Sequence, residues 1–241
     1  TGRRVKGRYA ESDRACRRVA EAGAALHSSA CLAENAALRG EVDAARRALG
    51  ELLAQPSLPA ATQAWLLTSV AELEQRDGRA KAADAAFRAV LMLDPDPYAR
   101  VDYADFLIEQ HRPLEALELL KGQTRTDVVL LRLAIAGAQA RAAGAARDAA
   151  EMRERIALAD ERPEARTFHG REQAMFALQV EHDPARALVL ARGDVRHQRE
   201  PLDLLVLAQA AHASGEPAAL AEARELRKTT GLHDRRLDAL L

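Results

Sequence analysis

Seven turn-prone residues recur along this chain at nearly constant distance. They are Gly7, Gly40, Gly78, His111, Gly144, His182 and Gly215, in steps of 33, 38, 33, 33, 38 and 33 residues. Each ends one apolar-periodic segment and opens another. Such a period marks supersecondary units that cannot bury an apolar face alone and do so by stacking on copies of themselves. The constraint points to a row of helical hairpins, with all 241 residues read as one continuous array.

Composition supports that reading. Alanine supplies 54 of the 241 residues and aromatics only 3%. Alanine has the best intrinsic helix propensity and lets backbones approach closely, so an Ala/Leu core suits thin antiparallel helix pairs. No tract alternates apolar with polar residues, so no strand is expected. The 35 basic and 36 acidic residues leave a net charge of −1, which offers nucleic acid no attractive long-range field. No apolar run reaches the roughly 18 residues of a transmembrane segment.

Residues 71–95, AELEQRDGRAKAADAAFRAVLMLDP, form the clearest unit. Val70, Ala71 and Leu73 share one face of a first helix, Gly78 supplies the turn, and Ala83, Phe87 and Val90 form the stripe of a second. Asp94-Pro95 closes the unit, because proline cannot continue the helix. Small, small, aromatic and proline residues at these offsets resemble the tetratricopeptide repeat. Degenerate copies place the small pairs at Ala33/Ala45, Ala104/Ala116, Gly137/Ala149 and Ala208/Leu220, with Met175/Ala187 the least regular. The layout is a single solenoid over residues 1–241: a half hairpin at 1–23, six hairpins over 24–228 and a closing helix at 229–241. The two 38-residue steps predict longer loops near residues 55–60 and 160–166, both of which contain proline.

The tracts YADFLIEQHRP and QREPLDLLVLAQAA also resemble a group of uncharacterised bacterial tetratricopeptide proteins. The resemblance implies an all-α, right-handed superhelical solenoid of antiparallel hairpins. It also implies a non-catalytic scaffold that holds a protein or peptide in its concave groove, with no cofactor. In tetratricopeptide arrays the first helix of each hairpin lines that groove. Projected here, the groove residues are Glu34, Trp65, Thr68, Glu72, Arg76, Tyr98, Asp105, Arg141, His169, Glu172 and Gln209. Glu34, Glu72 and Asp105 hold equivalent places in successive repeats and predict an acidic ladder beside Trp65 and Tyr98, giving way to Arg141 and then His169. Either Trp65 anchors a partner and the acids rim it, or Trp65 packs between repeats and the acids are merely solvated. As exposed charges, Glu72 and Asp105 should contribute little to folding.

Two other classes compete. His169 and Glu172, at i and i+3, could share a metal or a proton in a small-ligand or hydrolytic site. The terminal helices could instead drive self-association into a homo-oligomeric assembly factor. The sequence has no P-loop, dinucleotide-binding glycine pattern, H-E-x-x-H or paired-cysteine metal signature.

Cys16 lies 7 residues before Gly23 and Cys31 lies 8 after it. In a hairpin turning at Gly23 the two thiols meet at the same height, within the roughly 7 Å of Cα separation a disulfide tolerates. Two buried free thiols are the alternative. A disulfide would favour the periplasm or another export compartment over the cytoplasm.

Overall fold

The structure is a computed structural model that describes residues 2, 4–93, 96–161 and 170–241. Among them are 14 helices and no strand. α1 (Tyr9–Glu21) folds back on α2 (Ala25–Leu38), which pairs with α3 (Val42–Leu53). α4 (Ala60–Arg76) pairs with α5 (Ala80–Leu93), and α6 (Pro97–Glu109) with α7 (Pro113–Leu120). α8 (Asp127–Ala140) pairs with α9 (Ala145–Asp160), and α10 (Gly170–Gln179) with α11 (Pro184–Asp194). α12 (Pro201–Ser214), α13 (Pro217–Thr230) and α14 (Arg235–Leu240) follow. The all-α array of helical hairpins expected from the period is what the chain forms.

The turns show why the period is visible. Gly40, Gly78 and Gly215 have φ of 89°, 75° and 68°, and His111 and His182 have 55° and 56°. Each sits just past a helix end, where a left-handed residue lets the next amide cap the carbonyls left open. At Gly78, for example, the Gly78 and Arg79 amides donate to the Gln75 and Glu74 carbonyls. The fifth turn differs from expectation. There the left-handed residue is Arg141, with φ 52°, while Gly144 has φ −86° and precedes α9. Ala142 and Ala143 lie between them, so the sequence marker lags the helix end by three positions. Proline opens α6, α7 and α11 at the first turn, where its missing N–H is not needed. Asp96 and Asp183 cap α6 and α11 through side-chain oxygens.

The chain forms two compact units. The first comprises Thr1–Pro95, Gln198–Leu205 and Ala218–Leu241, and the second Asp96–His197 and Val206–Pro217. In the first, Ala33/Ala45 and Ala71/Ala83 are buried, so α2 crosses α3 and α4 crosses α5 at short range. Leu49 and Leu66 are fully buried around them, and each such side chain contributes about 1.5–3 kcal/mol. Arg46 of α3 grips Glu74 of α4 at 2.6 and 3.1 Å and also reaches Asp77 at 3.0 Å. The longer loop expected near residues 55–60 is present, with Ser57 at φ 63° and α4 starting at Ala60.

The C-terminal segment belongs to this same unit. The His233 amide donates to the Leu38 carbonyl at 2.8 Å, and Arg235 meets Asp77 at 3.4 Å. Asp234, fully buried, caps α14 and binds Arg236. Residues 233–235 therefore lie against the Gly40 and Gly78 turns, a placement no local pattern announces.

In the second unit Phe106, Leu130, Ile135 and Phe176 form a buried core. Gly137 brings α8 close to α9, since a Cβ there would lie 3.2 Å from Ala145 Cα. Ala145 is thus its close partner, where the sequence pattern had suggested Ala149. The expected closure at Asp94-Pro95 and most of the loop at residues 160–166 lie outside the described residues.

Candidate functional site

First helices of successive hairpins lie side by side: α2 with α4 in one unit, and α6 with α8 and α8 with α10 in the other. This arrangement brings side chains roughly a repeat apart in sequence onto a shared face.

In the first unit Glu34 of α2 is joined across the helices by Ser69 of α4, whose hydroxyl donates at 2.6 Å. Its other oxygen is taken by Arg4, from the segment before α1. Glu72 is half exposed and pairs with Arg76, which is buried. The Thr68 hydroxyl turns inward to the Ala64 carbonyl, so it offers its donor to its own helix. Trp65 is half buried against the core and stacks on His27 of α2, with centroids 5.2 Å apart. Trp65 therefore packs between repeats, with one edge left to solvent.

In the second unit Tyr98 is 75% exposed at the start of α6. Asp105 is not solvated. It forms a two-point ion pair with Arg132 of α8, Nε to Oδ1 at 2.8 Å and Nη2 to Oδ2 at 2.7 Å. The Arg132 side chain is only 4% exposed. Burial works against its charge, but Asp105 outweighs that and raises its pKa, with Glu172 adding to the same effect. Of the three acids expected to form a solvated ladder, Glu72 is half exposed and pairs within its own helix, while Glu34 and Asp105 are tied across elements. The reason is that each of the latter two meets a cation supplied from elsewhere in the chain.

Arg141 does not lie on a helix face at all, because it is the left-handed residue that ends α8. On α8, Leu131 and Ala134 are fully buried. Arg132, one position on from Leu131, is the residue that meets the neighbouring first helix, and sequence reasoning missed it. Glu172 is held by its neighbour Arg171 at 3.0 Å, Gln209 is half buried on α12, and His169 lies outside the described residues. Among the described residues no group of three His, Cys, Asp or Glu side chains is arranged to hold a metal ion. No described helix is long and apolar enough to cross a membrane.

Cys16 and Cys31 are joined, with Cα atoms 5.8 Å apart and Gly23 at φ 88° in the turn between them. Beside them Asn35 donates to Asp13 at 2.8 Å and Arg39 meets the same carboxylate at 2.9 Å, so α1 is fixed to α2 covalently and by charge.

No protein-family model matches the chain, and no curated protein matches it. Among solved structures, PilW, described as a widely conserved type IV pilus biogenesis factor, aligns over 89% of this chain and 97% of its own. The identity is 19% and the TM-score 0.46.

Proposed function

We propose that this chain is a non-catalytic scaffold of tetratricopeptide type, which holds a protein or peptide partner on its stacked first helices. One observation carries the reading: first helices of different hairpins contribute polar and charged side chains to common faces, Glu34 with Ser69 and Asp105 with Arg132. Such a face offers side chains from several repeats to an extended ligand, with specificity left to a few of them. Tyr98 supplies an exposed aromatic of the kind that anchors binding. The disulfide supports action in an oxidising compartment such as a bacterial periplasm.

Selection from a library of short random peptides on the immobilised chain tests this. Enriched peptides that seat on the first unit's face should lose affinity on Glu72→Gln, and those that seat on the second unit's face on Tyr98→Ala. Failure to enrich any peptide, or enrichment indifferent to both substitutions, would overturn the reading.

A further inference from the structure

The segment before α1 is a short turn of this chain already seated on the first-helix face. Arg4 places its guanidinium on Glu34 of α2, where Ser69 of α4 holds the second carboxylate oxygen. The next residue is tied down too, since the Val5 carbonyl accepts from the Arg199 amide at 2.6 Å. A turn then closes from the Gly7 amide to the Arg4 carbonyl at 2.8 Å. Gly7 has φ +68°, and a Cβ on it would come within 2.8 Å of Thr230 Cγ2. The segment thus has a glycine joint two residues before α1, with Arg4 held by its ion pair to Glu34 and Val5 by the Arg199 amide.

A second observation comes from α1. Tyr9 is 4% exposed, and its hydroxyl has no hydrogen-bond partner among the described residues. It sits in the field of Arg76, Arg4 and Glu200, and burial pushes its pKa up to about 12, so the phenol remains a donor. A buried donor without an acceptor is costly and points to a missing group. Arg4 in turn is paired with Glu34 and lies in the field of Glu72 and Glu200, which favours its charged form.

We infer that this face is a receptor for an arginine-bearing segment of a protein partner, and that residues 4–7 occupy it in the partner's absence. The inference rests on the scaffold reading and names its ligand chemistry. The incoming arginine replaces Arg4 on Glu34, and a backbone carbonyl of the partner accepts from Tyr9. The displaced segment swings about Gly7, releasing the Arg199 amide. A bound internal segment lowers the partner's apparent affinity by the fraction of molecules left open, and a short tether keeps its effective concentration near the millimolar range.

The probe is a fluorescent peptide with the sequence of residues 2–7, GRRVKG, blocked at both ends, titrated onto the full chain. Arg4→Ala should bind it about ten-fold or more tighter than the parent, and adding Glu34→Gln should remove that gain. Equal affinity for parent and Arg4→Ala, or a gain that survives Glu34→Gln, would overturn the inference. Hydrogen exchange on the unsubstituted chain needs no variant to fold. Saturating peptide should deprotect the Gly7 amide, whose bond to the Arg4 carbonyl belongs to the displaced segment, and a Gly7 amide that stays protected while the peptide is bound would also refute displacement. A peptide library that enriches sequences without arginine, sensitive to Tyr98→Ala, would leave the scaffold standing and sink this inference alone.

Discussion

Removing the Asp105 carboxylate should destabilise the second unit far more than its place on a charged face suggests. Arg132 is 4% exposed, and Asp105 satisfies it at two points, 2.8 and 2.7 Å. The guanidinium's other recorded bond is a longer one, Nη1 to the Val128 carbonyl at 3.3 Å. In Asp105→Ala the charge stays buried, because an arginine cannot discard its proton in any accessible pH range. Breaking a buried pair from one side costs about 3–5 kcal/mol, against about 0–1 for an exposed pair. Asp105 is 20% exposed, so some water reaches the gap, and the lower end, about 3 kcal/mol, applies. At roughly 2–4 °C per kcal/mol for a chain of this size, the melting temperature should fall by about 6–12 °C. Thermal unfolding followed by circular dichroism measures it. The double variant Asp105→Leu/Arg132→Met, which removes both charges, should recover most of the loss. If Asp105→Ala melts within about 1 °C of the parent, Arg132 is not buried as described and the argument fails.

Three further outcomes are expected. Replacing Cys16 and Cys31 by serine reopens a loop of sequence separation 15, and denaturant titration should show a loss of about 3 kcal/mol; an unchanged midpoint would mean that the bond contributes nothing. Glu151 is pulled below its ordinary value of 4.5, chiefly by its hydrogen bond from Arg125 and also by Arg155. A lowered carboxylate stabilises the fold above the unfolded value and loses that contribution as pH falls through the folded one. The parent should therefore out-melt Glu151→Gln at neutral pH, and the gap should close below pH 4.5; a gap independent of pH would refute the assignment. Arg141 has φ 52°, so Arg141→Gly relieves a strained turn and should stabilise by up to about 1 kcal/mol, and a lowered melting temperature would show that its side chain matters more than its backbone.

What the sequence by itself determined was local and periodic. Gly40, Gly78 and Gly215 mark turns because glycine reaches positive φ at little cost, and His111 and His182 were legible only through their spacing from those glycines. The disulfide followed from the same logic, since two cysteines nearly equidistant from Gly23 must meet once the hairpin closes. Arg141 escaped because two alanines separate it from Gly144, and the spacing of the glycine does not reveal that the left-handed residue falls three positions earlier. The tertiary structure alone decided which charges meet. Arg132 with Asp105 and Arg4 with Glu34 are separated by 27 and 30 residues, and the His233 amide meets Leu38 from the other end of the chain. Helical periodicity states which residues share a face within about one heptad. It does not state which face a neighbouring helix or a distant segment will cover. That is set by packing, where a buried guanidinium takes whichever carboxylate the stacked helices bring within reach.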